Sequence, residues 1–357
     1  MGPGRCSVLA IIPYEAFFLC FVWLTWHLLT MRWHRFPMSQ AALAVGLAVV
    51  LSLLNRPAAA NGKFPSADQL VVDPSDPNHL VVRTTFGILT SKNQGADWEL
   101  ICESAANYKD YEPGIAVTGE GALITALYEG VGVSTPNGCG WSLANGVVRT
   151  NVADVSVWPS QPSTAVALTT VAAKSRYLVS TDAGKSFAQA GVDLPEGFAG
   201  LTLDVMSAVD PPRIYVSGLD TTGSAPVGKL ARSDDGGATW QVFDIPGSDG
   251  DFAPYIGAMH PTDPKQLWVR LAGGPGRLLM TSDGGATWKV AWTSPLGPLR
   301  GFALSPDGET VLVGTEFDGL WRATVKELKF EKISSLAIRC VTWKDERVFV
   351  CVNEYLY

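Results

Sequence analysis

The sequence SDDGGATW occupies residues 233–240, and TSDGGATW follows at residues 281–288. Both fit one pattern, which we call the octapeptide: Ser or Thr, any residue, Asp, any residue, Gly, any residue, Ser or Thr, and an aromatic residue. Residues 180–187 hold a third full copy, and three weaker copies begin at Ser91, Ser134 and Ala323. The Gly position recurs every 42 to 53 residues, a period that predicts a propeller or a solenoid.

The octapeptide has the chemistry of a turn. A carboxylate two residues into a turn accepts hydrogen bonds from the backbone N–H groups that follow it, and Gly tolerates a positive φ. A catalytic acid would not need a copy in every repeat, so we interpret these residues as turn stabilisers. A calcium loop is the alternative, although no copy has the alternating carboxylates of an EF-hand. The structural positions are Ser91, Asn93, Gly95, Trp98, Ser134, Gly138, Trp141, Ser180, Asp182, Gly184, Phe187, Ser233, Asp235, Gly237, Trp240, Thr281, Asp283, Gly285 and Trp288.

These residues resemble the Asp-box, or BNR repeat, of bacterial sialidases, xyloglucanase-type hydrolases, sortilin-type receptors and the photosystem II assembly factor of the same fold. The resemblance extends over residues 66–357 and implies a β-propeller, with the octapeptide in the hairpin between the third and fourth strands of each blade. It implies no single function, because the same repeat serves all of these classes. The sialidases also carry an Arg-Ile-Pro signature. The nearest match here is Arg213-Ile214-Tyr215, so that signature is absent.

The repeats have the composition of strands joined by turns. Residues 254–294 contain apolar runs at 255–259, 266–271, 277–280 and 289–292, separated by turns rich in Pro and Gly. Four short strands with turns between them make one propeller blade. We predict an all-β fold, a β-propeller of four-stranded antiparallel blades. Its units are expected near residues 66–103, 111–148, 151–195, 198–246, 254–294, 298–335 and 336–357, about seven repeats with the last one incomplete. Either the chain is truncated or its ring closes in a way that the sequence does not show.

Two apolar stretches precede the repeats. Residues 8–30 would just span a bilayer of about 30 Å, and residues 1–30 are interpreted as an apolar extension or a membrane segment. Residues 31–60 combine a basic start, an apolar run and a small-residue site at the end, which together indicate a signal peptide. Translation would then start at Met31 or Met38. The propeller at residues 61–357 is expected to be secreted, periplasmic or on the cell surface, with a membrane tether through residues 8–30 as the alternative.

The exported part is acidic. Residues 1–60 hold four of the 27 Lys and Arg residues and one of the 34 Asp and Glu residues, so the remainder carries a net charge of −10. Binding of nucleic acid relies on basic patches, and we therefore expect no nucleic-acid partner. The sequence predicts a monomer without a cofactor, whose partner is an extracellular or cell-envelope protein, peptide or glycan.

Four cysteines follow residue 60, which in an exported chain predicts up to two disulfides. If Trp343 pairs with Val348 across a turn, Cys340 falls opposite Cys351, so we predict a cross-strand bridge there. By elimination, Cys102 then pairs with Cys139. A zinc site is the alternative, but no CxxC spacing occurs and only His79 and His260 are available. We predict no metal site.

Binding residues are expected on the loops that join strand 2 to strand 3 and strand 4 to the next blade, since these loops share one face of a propeller. Here the loops are acidic and aromatic. The candidates are Tyr108, Asp110, Tyr111, Glu112, Glu129, Asp249, Asp251, Tyr255, Glu316 and Asp318. Aromatic rings beside carboxylates suit sugar or peptide recognition, whereas ordinary solvated loops are the simpler interpretation.

Two functions remain open. The first is an exported, non-enzymatic propeller that binds a protein, peptide or glycan through this acidic and aromatic face. It is favoured because no G-x-S-x-G motif occurs, and because Leu230 follows the Gly-rich residues 223–229 at the position where a phosphate-binding loop has Ser or Thr. The second is an Asp-box-type glycoside hydrolase, sialidase-like or xyloglucanase-like. Its acid and base would lie among Asp110, Glu112, Asp249, Asp251, Glu316 and Asp318, and a deep cleft with two facing carboxylates would favour it.

Overall fold

The computed structural model describes residues 66–108, 111–136, 138–158, 160–172, 174–206 and 209–352. The predicted membrane segment at residues 8–30 and signal peptide at residues 31–60 therefore lie outside the described residues. Within the described ranges every regular element is a β-strand, and no helix is present that could cross a membrane. The predicted β-propeller is confirmed: six four-stranded antiparallel sheets, the blades, follow one another along the chain, and a two-stranded sheet comes last.

The strands of the first three blades are β1 (Ala67–Val72), β2 (Leu80–Thr84), β3 (Gly87–Ser91) and β4 (Glu99–Cys102); β5 (Ile115–Val117), β6 (Leu123–Leu127), β7 (Gly130–Ser134) and β8 (Trp141–Leu143); and β9 (Val152–Trp158), β10 (Gln161–Val171), β11 (Lys174–Ser180) and β12 (Ala188–Gln189). Blades 4 and 5 comprise β13 (Phe198–Met206), β14 (Arg213–Asp220), β15 (Val227–Ser233) and β16 (Gln241–Asp249); and β17 (Pro254–Met259), β18 (Leu267–Leu271), β19 (Arg277–Thr281) and β20 (Lys289–Thr293). Blade 6 comprises β21 (Leu299–Leu304), β22 (Thr310–Thr315), β23 (Gly319–Thr324) and β24 (Glu331–Ser334), and the partial blade 7 comprises β25 (Ile338–Lys344) and β26 (Arg347–Val352).

The hydrophobic core lies between the blades. Six clusters of buried residues occur in the described part of the chain, and each joins two consecutive blades. In one of them Ile124 of β6 packs with Leu178 of β11, and in another Val166 of β10 packs with Ile214 of β14. Each fully buried side chain of this size contributes about 1.5–3 kcal/mol. The second strands carry the most apolar runs because neighbouring sheets cover both of their faces, whereas the fourth strands are largely exposed.

Side chains of the first strands also join neighbouring blades. The Gln69 amide donates to the Ile115 carbonyl at 2.9 Å and accepts the Ile115 N–H at 3.1 Å. Asp154 Oδ2 accepts the N–H of Leu203 at 2.9 Å, so blade 3 is joined to blade 4 in a similar way. These bonds satisfy backbone groups at strand edges that would otherwise be buried without partners.

The ring closes through polar contacts between blade 7 and blade 1. Arg339 of β25 donates to Asp68 at 2.8 Å and to Glu316 at 2.7 Å, so it joins blades 1, 6 and 7. Thr342 Oγ1 donates to the Leu70 carbonyl of β1 at 2.7 Å. None of the six clusters of the described residues joins blade 7 to blade 1, and we refer to this contact as the seam.

One of the two predicted disulfides is confirmed. Trp343 pairs with Val348, as the sequence predicts, and Cys340 is bonded to Cys351 across β25 and β26. The predicted bridge from Cys102 to Cys139 is wrong, because the structure contains no bond between these two exposed cysteines. The physical reason is their placement at opposite ends of the strands. Cys102 ends β4 beside the loops between blades, whereas Cys139 lies in the turn that connects β7 to β8.

The octapeptides form the turns between the third and fourth strands. In blade 5, Asp283 Oδ1 accepts the Thr281 hydroxyl at 2.8 Å and the Thr287 N–H at 2.9 Å, while Oδ2 accepts the Thr287 hydroxyl at 2.5 Å. The Gly285 N–H donates to Thr281 Oγ1 at 3.0 Å. Gly285 has a φ of +104°, and a Cβ atom there would lie 2.7 Å from Leu230 of the preceding blade. The turn therefore needs Gly both for its backbone and for its contact with the neighbouring sheet.

We expect Asp283→Ala to lower the free energy of unfolding by about 1 kcal/mol at pH 7, because several charge-assisted hydrogen bonds are lost. The Thr287 hydroxyl and N–H and the Thr281 hydroxyl lower the pKa of Asp283 to about 2. The folded pKa is thus below the unfolded value of about 3.9, so this stabilisation is present above about pH 4 and disappears as the pH falls toward 2. Urea denaturation at pH 7 and pH 3 measures it, with the exposed Ser282→Ala as the control. A deficit that is as large at pH 3 as at pH 7 would contradict the interpretation.

The seam depends on Arg339, whose side chain is 16% exposed between Asp68 and Glu316. Arg339→Met should lower the free energy of unfolding by about 1–3 kcal/mol, because Asp68 loses its arginine partner and Glu316 loses the nearer of its two. Chemical denaturation checks this, and Arg322→Met on the exposed side of blade 6 serves as the matched control. Equal stability of the two variants would show that the seam does not rely on this arginine.

Candidate functional site

A cleft of about 660 Å³ opens between blades 1 and 2, on the face formed by the loops between blades and the loops between second and third strands. Three such loops supply its walls: β2 to β3, β4 to β5, and β6 to β7. We call it the tyrosine cleft. Its lining residues are Phe86, Cys102, Glu103, Ser104, Asn107, Tyr108, Tyr111, Leu127, Tyr128 and Glu129.

The loop after β4 holds Tyr108 in place. The N–H groups of Ala106 and Tyr108 donate to the carbonyls of Cys102 and Glu103, at 3.3 and 3.1 Å, so the chain winds into a compact turn. Asn107 then takes a φ of +60°, a conformation that Asn tolerates better than most residues. As a result Tyr108 points into the core and is 4% exposed. Burial raises the pKa of Tyr108, and the nearby Glu103 carboxylate raises it further, so the phenol stays neutral.

Tyr111 and Tyr128 form an aromatic pair at the mouth of the cleft. Their ring centroids are 4.3 Å apart with an interplanar angle of 39°, and the Tyr128 N–H donates to the Tyr111 hydroxyl at 3.4 Å. Tyr108 meets Tyr111 edge to face at 5.9 Å. The Tyr128 side chain remains 64% exposed, which is unusual for so large a ring. A ligand that covered it would remove a considerable apolar area from water.

Two acidic residues line the cleft. Among the described residues, Glu103 and Glu129 are the charged groups of its lining. Of the predicted binding residues, the structure brings Tyr108, Tyr111 and Glu129 together here. Phe86 and Glu103 also line the cleft and were not predicted. The available signal for Phe86 was a large aromatic residue at the tip of the turn between β2 and β3.

Asp110 lies outside the described residues, and the remaining predicted binding residues lie away from the tyrosine cleft. Glu112 lies beside Arg83, which donates to its main-chain carbonyl at 3.2 Å. Asp249 caps its own turn by accepting the N–H groups of Asp251 and Phe252 at 2.9 and 2.8 Å. Tyr255 lies under the guanidinium of Arg270.

Glu316 and Asp318 are both held by ion pairs. Glu316 binds Arg339 at 2.7 Å and Arg300 at 3.4 Å, and Asp318 binds Lys332 at 2.8 Å. Three of the carboxylates proposed as hydrolytic acids or bases, Asp249, Glu316 and Asp318, thus serve as partners within the protein.

Blade 1 contains an Asp–His–Thr chain that sequence analysis missed. His79 Nδ1 lies 2.9 Å from Asp73 Oδ2, and His79 Nε2 lies 2.9 Å from Thr90 Oγ1. The order of groups resembles a nucleophile with its base, but all three residues are buried at 4–7% exposure. A substrate could not reach Thr90, and Asp73 also accepts the N–H of Ser75 at 2.8 Å. The hydrogen bonds of Asp73, His79 and Thr90 therefore join β2 and β3 to the first turn of the blade.

Known proteins resemble this chain in fold rather than in sequence. No protein-family profile and no curated protein sequence matches it. Among solved structures it is similar to the GH74 xyloglucanase from Xanthomonas campestris, with a TM-score of 0.50 and 17% identity over 72% of this chain and 44% of that chain. The GH74 enzyme from Niastella koreensis gives 0.51 and 19% identity, over 72% and 45% of the two chains.

A third similar structure, YCF48 from Cyanidioschyzon merolae, has a TM-score of 0.56 and 13% identity over 81% of this chain and 92% of that chain. The chain spans less than half the length of the two GH74 structures, and most of the length of YCF48. At these identities the similarity establishes the β-propeller fold and leaves the activity open.

Two carboxyl groups near the ring axis carry the most strongly raised pKa values of any described Asp. Burial raises the pKa of Asp154 to about 7 and that of Asp204 to about 6, although backbone N–H donors oppose both shifts. Each folded pKa exceeds the unfolded value of about 3.9. Both groups therefore favour the folded state below about pH 4, and this contribution is lost as the pH rises through 6 to 7.

In the unaltered protein, the unfolding free energy should fall between pH 5 and pH 8. In the double variant Asp154→Asn, Asp204→Asn this fall should be smaller, because both titrating groups are removed. Urea denaturation at four pH values in this range measures the slope. The exposed Asp251→Asn is the control and should keep the slope of the unaltered protein. An unchanged slope in the double variant would mean that both carboxyls are already ionised at pH 5.

Proposed function

We propose that this chain is an exported, non-enzymatic β-propeller that binds a peptide, protein or glycan in the tyrosine cleft between blades 1 and 2. The observation that carries the proposal is the Tyr111–Tyr128 pair, with Tyr128 exposed, in a concave site of about 660 Å³ that two carboxylates also line. Clefts of this size are typical of ligand sites, in which apolar walls supply affinity and a few polar groups fix orientation.

The chemistry of the cleft favours a ligand with a flat apolar face and hydrogen-bond donors or a positive charge. The Tyr128 ring offers a stacking surface for a sugar ring or an aliphatic side chain. Glu103 and Glu129 accept hydrogen bonds from hydroxyl, ammonium or guanidinium groups.

Export is supported by the Cys340–Cys351 bond, since disulfides persist in oxidising compartments. It is also consistent with the signal-peptide pattern at residues 31–60 and with the acidic net charge.

A glycoside hydrolase is the second candidate, and the observation that favours it is the presence of both Glu103 and Glu129 in one cleft. A pair of carboxyl groups about 5–9.5 Å apart is the usual requirement for this reaction. The other carboxylates considered from the sequence are less suitable, because Asp249, Glu316 and Asp318 are engaged within the protein.

Binding is tested with glycan and peptide arrays, followed by titration of any ligand that is captured. Tyr128→Ala should weaken binding by about tenfold or more, the loss expected for truncating a central aromatic contact. Phe317→Ala is the matched control, because Phe317 is 62% exposed on a loop of blade 6 and lies outside the cleft. Equal losses in the two variants would argue against the cleft as the binding site.

Hydrolysis is tested with the same protein and a panel of fluorogenic glycosides. We expect no turnover. Turnover that disappears in Glu103→Gln and Glu129→Gln, and persists in Asp251→Asn, would replace the binding proposal with the enzymatic one.

A further inference from the structure

A second cavity, of about 130 Å³, lies at the ring axis. Its walls come from blades 1, 5, 6 and 7, and only the centre of a propeller is bordered by so many blades at once. Its charged lining residues are Asp68, Arg270 and Arg300. This cavity is separate from the tyrosine cleft, with which it shares no lining residue.

Arg270 has no hydrogen bond or ion pair with any described residue. Its guanidinium lies over the Tyr255 ring, with Cζ 4.8 Å from the ring centroid. Burial lowers the pKa of Arg270, and the neighbouring cations Arg300 and Arg83 lower it further, while Tyr255 opposes the shift. Arg270 is partly buried, and a partly desolvated guanidinium among like charges is costly unless an anion offsets it.

The nearby carboxylates do not supply that anion. Asp68, the acidic residue of the cavity wall, binds Arg339 at 2.8 Å. Glu316 is shared between Arg339 and Arg300. Arg83, by contrast with Arg270, donates to the carbonyls of Glu112 and Pro113 at 3.2 Å. Arg270 is therefore the cation of this region that the described residues leave without a polar partner.

We propose that the axial cavity binds a small oxyanion between Arg270 and Arg300. Guanidinium groups bind planar or tetrahedral oxyanions through paired N–H donors, and the Tyr255 ring fixes the plane of the Arg270 group. A volume of about 130 Å³ admits an ion of a few heavy atoms, such as phosphate, sulfate or acetate, and is too small for a sugar chain or a peptide.

The bound anion would also strengthen the ring. Arg270 belongs to blade 5 and Arg300 to blade 6, and the cavity extends to Thr342 of blade 7 and Leu70 of blade 1 at the seam. An ion that binds the closed ring but not the unfolded chain stabilises the fold. Once the ion concentration exceeds the dissociation constant, this stabilisation grows with the logarithm of the concentration.

Thermal unfolding of the full protein in sodium phosphate tests the proposal, against sodium chloride at the same ionic strength. We expect phosphate to raise the midpoint by a few degrees at millimolar concentration, on a curve that follows the binding law rather than a linear salt effect. Parallel series with sulfate and acetate distinguish a tetrahedral ion from a carboxylate. No stabilisation by any of the three beyond that of chloride would overturn the proposal.

Arg270→Gln should abolish this stabilisation and lower the affinity for phosphate by at least tenfold in calorimetric titration. The matched control is Arg277→Gln on β19, whose guanidinium lies 4.9 Å from the Phe252 ring and outside the cavity. This variant should keep the response to phosphate. If Arg270→Gln does not fold, Arg300→Gln replaces it, because the Arg300 side chain is 44% exposed and tolerates substitution better. An undiminished response to phosphate in the variant measured would overturn the proposal.

Discussion

Each sheet of this ring has two apolar faces, and only its two neighbours can cover both. This constraint explains why Ile124 and Val166, on second strands, are inaccessible to solvent while the fourth strands are exposed. It also explains the form of the octapeptide. The Asp carboxylate holds the turn closed, and the Gly brings the turn against the preceding sheet without a side chain in the way. The octapeptide therefore lets neighbouring blades pack closely against each other.

The ring is not uniform, because six contacts between blades are apolar and the seam is polar. In the partial blade 7 a disulfide joins the two described strands and reduces the number of conformations open to their unfolded hairpin. Its inner strand β25 still contacts both blade 6 and blade 1 through Arg339. The two candidate sites occupy different parts of this arrangement. The tyrosine cleft belongs to an apolar contact, between blades 1 and 2, and the axial cavity adjoins the seam.

The sequence predicted the local structure well, because the period of the octapeptide and the alternation of strands and turns are local signals. In blade 5 the four strands begin and end within one residue of the predicted runs, and the pairing of Trp343 with Val348 follows from the short turn between them. Contacts between distant residues were harder to predict. Glu316 and Asp318 look like ligand-binding carboxylates until the fold brings Arg339 and Lys332 to them.

The same limit applies to the sites. Tyr108, Tyr111 and Glu129 could be predicted because aromatic and acidic residues on loops between blades are visible in the sequence. Their association with Glu103 depended on how the loop after β4 winds, and this in turn on the positive φ of Asn107. Arg270 appeared as an ordinary strand residue. Its lack of a partner is a property of the assembled axis, where side chains from four blades meet.

Because the seam is held by polar contacts and the other contacts between blades have apolar clusters, we expect the ring to open more easily at the seam than between other blades. Apolar contacts resist shear and separation over their whole area, whereas a few hydrogen bonds and ion pairs open once water replaces them. Transient opening should therefore begin at Arg339 and Thr342 and widen the axis from one side. The route by which solvent and small solutes reach the centre of the propeller would then be lateral, through its circumference, and not only along its axis.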